Sequence, residues 1–86
     1  MDTRARIAWN LRRIRTSEKI TQENLAVDAN VDRTAISGIE RGEYNASIDL
    51  LDRLVAALGI DISELLIEPP ETALPPRPLK AGRKPK

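Results

Sequence analysis

The 86-residue chain contains no cysteine, no histidine and no phenylalanine, and its aromatic content is Trp9 and Tyr44 alone. Without cysteine or histidine there is no disulfide framework, no thiolate or imidazole zinc site and no thiol or imidazole acid–base chemistry. No metal site and no cofactor are therefore expected. The apolar fraction is leucine, isoleucine, valine and alanine, which suits packed helices better than a β-sandwich. No apolar run approaches the roughly 20 residues of a membrane span, and the N-terminus lacks the pattern of a secretory signal. The expected setting is the cytoplasm, with no membrane partner.

One compact domain with a modest aliphatic core is what this length allows. The net charge of +1 hides an asymmetry. Residues 1–67 carry nine basic and eleven acidic side chains, a net of −2, whereas residues 68–86 carry five basic and two acidic ones. All six prolines lie from Pro69 onward, among lysines and arginines and almost nothing apolar. Residues 68–86 thus read as a Pro-rich basic tail that buries too little surface to fold. The expected division is a folded domain over 1–67 and a disordered tail over 68–86.

Five helices fit in the first 67 residues. Ile7, Leu11 and Ile14 recur at helical spacing behind Asp2 or Thr3 as a cap, predicting a first helix to about residue 16. Thr21 caps a second that turns Leu25, Ala26 and Ala29 inward and ends near residue 29. Asn30 then closes that helix in a left-handed conformation, Val31 tucks inward, and Asp32 caps a third helix running to Arg41 and stopped by Gly42. Ser47 caps a fourth with Leu50, Leu51, Leu54, Val55 and Leu58 as its stripe, ending at Gly59. Asp61 and Glu64 form a D-x-x-E box before Leu65, Leu66 and Ile67, predicting a short fifth helix.

Two short helices joined by a tight turn, the second opening with exposed polar side chains, match the geometry that places a recognition helix in the major groove. In the third helix Ile36 and Ile39 face inward while Arg33, Thr34, Ser37 and Arg41 face outward. Thr34 and Ser37 lie one turn apart, so both hydroxyls can face a groove, and the Thr methyl can touch thymine. A plain surface role is open for each. Gly38 costs about 1 kcal/mol against alanine in mid-helix, and close approach of the backbone to DNA is one reason to want it small.

Leu11, Arg15, Thr21-Gln22, Leu25-Ala26, Ile36-Ser37, Ile39-Glu40-Arg41-Gly42, Asn45, Leu58-Gly59 and Leu65-Leu66 together resemble the phage repressor and Cro (XRE-like) type of helix-turn-helix domain, over residues 4–67. Asp32-Arg33-Thr34 with Ile36 to Arg41 looks most like the controller proteins of restriction-modification systems. The resemblance implies an all-α, five-helix repressor-like domain that binds double-stranded DNA as a homodimer and regulates transcription.

It also implies roles. Gln22 would give its amide to a phosphate beside the second helix's N-terminus, or merely initiate that helix. Arg33 would read a base edge, its fork matching guanine O6 and N7, or remain a solvated arginine. Ala35 replaces a bulkier or polar residue and could offer its methyl to thymine. Arg41 and Asn45 match phosphate-touching positions, Asn45 having a turn role as its alternative. Arg15 and Glu40 match a pair tying the first helix to the end of the recognition helix. Ile60, Leu65, Leu66 and Ile67 would form the dimer interface, or complete the monomer's own core.

Two other readings keep the same shell. One is an antitoxin-type autoregulator that grips a protein partner through its C-terminal tail; the other is an interaction module without DNA readout. The tail's Arg77, Lys80, Arg83, Lys84 and Lys86 also resemble a minor-groove arm, with a solubilising linker as the alternative. An enzyme is disfavoured, because the chain lacks catalytic imidazole or thiol, a Gly-rich phosphate loop and room for a deep pocket.

Overall fold

The computed structural model describes residues 1–69 and, within them, four α-helices and one 3-10 turn. These are α1 (Thr3–Ser17), α2 (Gln22–Ala29), α3 (Arg33–Glu40), α4 (Ile48–Leu58) and the turn Ile62–Leu65. No strand occurs among the described residues. The tail beyond residue 69 lies outside them, and with it the basic side chains from Arg77 to Lys86.

Side-chain caps open most elements where the sequence places them. The Asp2 carboxylate accepts from the Ala5 N–H at 2.8 Å. Thr21 accepts from Asn24 and Ser47 from Leu50, each at 3.0 Å. Each cap satisfies one of the N–H groups that a helix start leaves without a partner, worth about 1 kcal/mol. Asp32 departs from expectation. It occupies the cap position of α3 with extended backbone, but its side chain makes no capping hydrogen bond.

The fifth helix is shorter than the D-x-x-E box suggests. The Asp61 carboxylate bonds the N–H of Ser63, two residues on, not the third residue that a capping box would engage. Four residues of 3-10 geometry follow. Leu65 then turns inward, and the carbonyls of Leu65 and Ile67 are taken by a side chain from α1, so the chain runs on extended.

That side chain is Asn10, fully buried. Its Nδ2 donates to the carbonyls of Arg6 at 3.0 Å, Leu65 at 3.0 Å and Ile67 at 2.7 Å. An amide nitrogen carries two protons, so one is shared between acceptors. Arg6 reinforces the clamp, donating to the Leu66 carbonyl at 3.2 Å and pairing with Glu68 at 3.3 Å. Arg13 closes over the same region, donating to Asn10 Oδ1 at 3.3 Å with its guanidinium 5.4 Å from the Trp9 ring centroid.

The core joins every element: Leu11 and Ile14 from α1, Leu25, Ala26 and Ala29 from α2, Ile36 and Ile39 from α3, Leu54 and Val55 from α4, and Leu65. Leu50, Leu51 and Leu58 lie half-buried at its edge. Each fully buried leucine or isoleucine contributes about 1.5–3 kcal/mol. Leu65 is 0% exposed, which removes it from the expected dimer surface and makes it part of the monomer's core. Ile60 is likewise half-buried against the core, whereas Leu66 and Ile67 stay 40% and 50% exposed.

Asn10→Ala leaves the Leu65 and Ile67 carbonyls without their donor. The expected loss is about 2 kcal/mol in urea unfolding followed by the fluorescence of Trp9. An unchanged midpoint would mean that water replaces the clamp at no cost.

Candidate nucleic-acid interface

The turn between α2 and α3 is built by Asn30, which takes the left-handed conformation with φ 58° and ψ 49°. Asparagine tolerates that region better than most residues. The Val31 N–H returns to the Ala26 carbonyl at 3.0 Å, closing α2, and Asp32 redirects the chain into α3. Arg33 and Thr34 are thereby exposed on the first turn of α3, and neither side chain hydrogen-bonds to a described residue.

Behind that exposed edge lies a buried charge. Glu40 accepts from Arg15 Nε at 2.7 Å through one carboxylate oxygen. Through the other it accepts from Arg15 Nη2 at 2.9 Å and from Gln22 Nε2 at 3.0 Å. Arg12 adds a longer contact at 3.4 Å. The remaining Arg15 amine donates to the Ile20 carbonyl at 2.8 Å. A bidentate fork of this kind fixes direction as well as separation. The expected Arg15–Glu40 pair is thus present, and it binds α1, α2 and α3 to one carboxylate.

Gln22 is the node that sequence reasoning placed only at the surface. Its amide is half-buried and committed to Glu40, leaving one further amide proton for a phosphate. Arg12 was not anticipated. Its position three residues before Arg15, on the same face of α1, is the signal that could have found it.

Three further positions differ in role or setting. Ala35 is 6% exposed, lining the cleft beside Thr34 and Tyr44, and offers little surface to a thymine. Gly38 is also buried. A Cβ built there would stand 3.0 Å from the Tyr44 Cβ, so the loop side chain of Tyr44, and not DNA, occupies the space the glycine leaves. Ser37 is half-exposed and accepts from Arg41 Nη1 at 2.6 Å, which leaves its own O–H free to donate.

Arg41 also pairs with Glu43 at 3.1 Å, both side chains being more than half exposed. Such pairs are worth at most about 1 kcal/mol, so a phosphate can compete for the guanidinium. Asn45 is exposed in the loop before α4. Arg33, Thr34, Ser37 and Arg41 therefore lie along one accessible edge of α3, with Asn45 in the loop beyond it. Among the described residues no group of acidic side chains could hold a metal ion, and no helix is long and apolar enough to cross a membrane.

The chain is similar in sequence and fold to known proteins. Residues 11–65 match a family model described as "Helix-turn-helix". A hypothetical transcription factor of Neisseria meningitidis serogroup B is 37% identical over 70 residues, covering 81% of this chain and 66% of that protein. Its crystal structure superposes with a TM-score of 0.75, covering 79% of this chain and 78% of the other. The immunity repressor protein of Bacillus phage phi105 is 37% identical over 62 residues, 72% of this chain and 43% of the repressor. The chain thus spans less than two thirds of the length of these two relatives. The restriction-modification controller protein C.Esp1396I, solved bound to a 25 base pair operator site, is 33% identical with a TM-score of 0.69, covering 77% of this chain and 91% of that one.

Burial raises the pKa of Glu40, but hydrogen bonds from Arg15 and Gln22 and the charges of Arg15 and Arg12 outweigh it and hold the carboxyl below its ordinary value. The unfolded chain therefore binds this proton more readily than the folded one. The resulting stability is fully present above the ordinary glutamate value of about 4.3 and is lost as pH falls through it toward the depressed value. Urea midpoints should fall over that acid range. Glu40→Gln should cost about 3–5 kcal/mol at neutral pH, because Arg15 is left buried without its counter-charge. A variant as stable as the parent would show that the pair holds nothing.

Proposed function

Because the chain belongs to the helix-turn-helix family, we propose that it is a sequence-specific transcriptional regulator that inserts α3 into the major groove of double-stranded DNA. The observation that carries this reading is the exposed polar edge of α3, held from behind by Ile36, Ile39 and the buried Glu40 cluster. Arg33 reads a base edge with its fork, Thr34 and Ser37 present hydroxyls beside it, and Arg41, Asn45 and the free amide proton of Gln22 approach phosphates.

The protein acts as a homodimer on a palindromic operator, as a cytoplasmic, nucleoid-associated regulator without catalytic activity of its own. Leu66 and Ile67 are apolar, exposed and held in place through their backbone by Asn10 and Arg6, which supports this end as the dimer surface. Two recognition helices about one DNA turn apart supply affinity that a single small domain lacks. The intact polar edge favours DNA binding over a toxin-gripping autoregulator or an interaction module without readout.

Selection from a random duplex pool should yield a two-fold symmetric site. On that site Arg33→Ala should cost about 1–3 kcal/mol and relax preference at one base pair per half-site. Arg41→Ala should weaken selected and random duplexes alike and lower the salt slope by about one. Equal losses on both duplexes for Arg33→Ala would remove its assigned role.

A further inference from the structure

Tyr44 has a setting that the roles assigned above leave unused. It follows α3 in the loop and is 43% exposed, yet it is held on two sides. Its N–H and that of Glu43 both donate to the Gly38 carbonyl, at 3.2 and 3.0 Å. Its side chain rests on the bare backbone of Gly38, where a Cβ would meet Tyr44 Cβ at 3.0 Å, Cδ1 at 3.5 Å and Cγ at 3.6 Å. Ala35, one turn earlier, lines the same cleft as Gly38 and is equally small, and the tyrosine supplies bulk beside the two.

Tyr44 also lines two clefts. One of about 350 Å³ runs along α3 between Thr34, Arg41 and Tyr44. The other, of about 440 Å³, lies between the start of α1 and Asn45. The phenol O–H hydrogen-bonds to no described residue, although the base of its ring rests on Gly38. A donor held in this way loses little freedom on binding. When α3 lies in a major groove, its flank faces the groove wall, which is sugar and phosphate.

We propose that Tyr44 is a DNA-contacting residue: its hydroxyl donates to a phosphate of the groove wall, and its ring, braced on Gly38, sets how α3 tilts toward the bases. The contact is neutral, so it adds affinity and orientation without releasing a counterion, unlike that of Arg41. This proposal rests on the DNA-binding reading above.

Tyr44→Phe separates the two roles of the side chain, since the ring stays on Gly38 and only the hydroxyl is lost. The full chain and its Phe variant are titrated against the selected duplex at several salt concentrations. They are then titrated against a set of the same duplexes with single phosphates replaced by neutral methylphosphonate. The expected result is an unchanged melting temperature, an unchanged salt slope and about fivefold weaker binding. That difference should vanish on the duplex whose altered phosphate is the one Tyr44 touches. Binding by Tyr44→Phe equal to that of the parent overturns the proposal, as does a loss that tracks a lowered melting temperature and persists on every altered duplex. If the parent itself does not prefer the selected duplex over a random one, the DNA-binding reading falls and takes this proposal with it.

Discussion

A single carboxylate, Glu40, determines how the rest of the domain is used. It is buried at the end of an eight-residue helix, and a charge in that position is tolerated only when every lone pair finds a donor. Arg15 from α1 supplies two donors, Gln22 from α2 a third and Arg12 a weaker fourth. A helix as short as α3 has little stability alone. Ile36 and Ile39 fix its depth through the hydrophobic core, but apolar contacts are non-directional. The bidentate fork on Glu40 supplies direction, and with it the rotation that turns Arg33, Thr34 and Ser37 outward.

The middle of α1 repeats the device with neutral groups. Asn10 sits on the inner face of α1, where the spacing of Ile7, Leu11 and Ile14 would otherwise call for an apolar residue. It spends its amide protons on carbonyls that the short 3-10 turn leaves without partners. That exchange holds residues 65–67 extended against α1 and leaves Leu66 and Ile67 facing outward. Helix α1 thus carries two polar clamps, Asn10 at its middle holding the apolar segment and Arg15 near its C-terminal end holding the recognition helix.

The helices were legible because their punctuation is local. Asp2, Thr21 and Ser47 cap through their own side chains, while Asn30 and Gly59 close α2 and α4 in left-handed conformations. What escaped depends on residues distant in sequence. Periodicity alone cannot tell that Ala35 is covered, that Gly38 makes room for Tyr44, or that Leu65 belongs to the core. The fifth helix failed for the same reason: its D-x-x-E box is a local signal, overridden when Asn10 captures the carbonyls beyond it. Gln22 was placed correctly on α2, but its bond to Glu40, 18 residues away, had no local trace.

The charge of the folded part remains instructive. A domain with more acidic than basic side chains has little general attraction for a polyanion, so specificity must come from a few placed groups, and placement is what the Glu40 cluster provides. The most direct test follows backbone amide resonances of the isotope-labelled protein as its selected duplex is added. The account predicts the largest changes at Arg33, Thr34, Ser37, Arg41 and the 43–45 loop, with residues 52–58 of α4 nearly still. Changes concentrated on α4, with α3 unmoved, would contradict it.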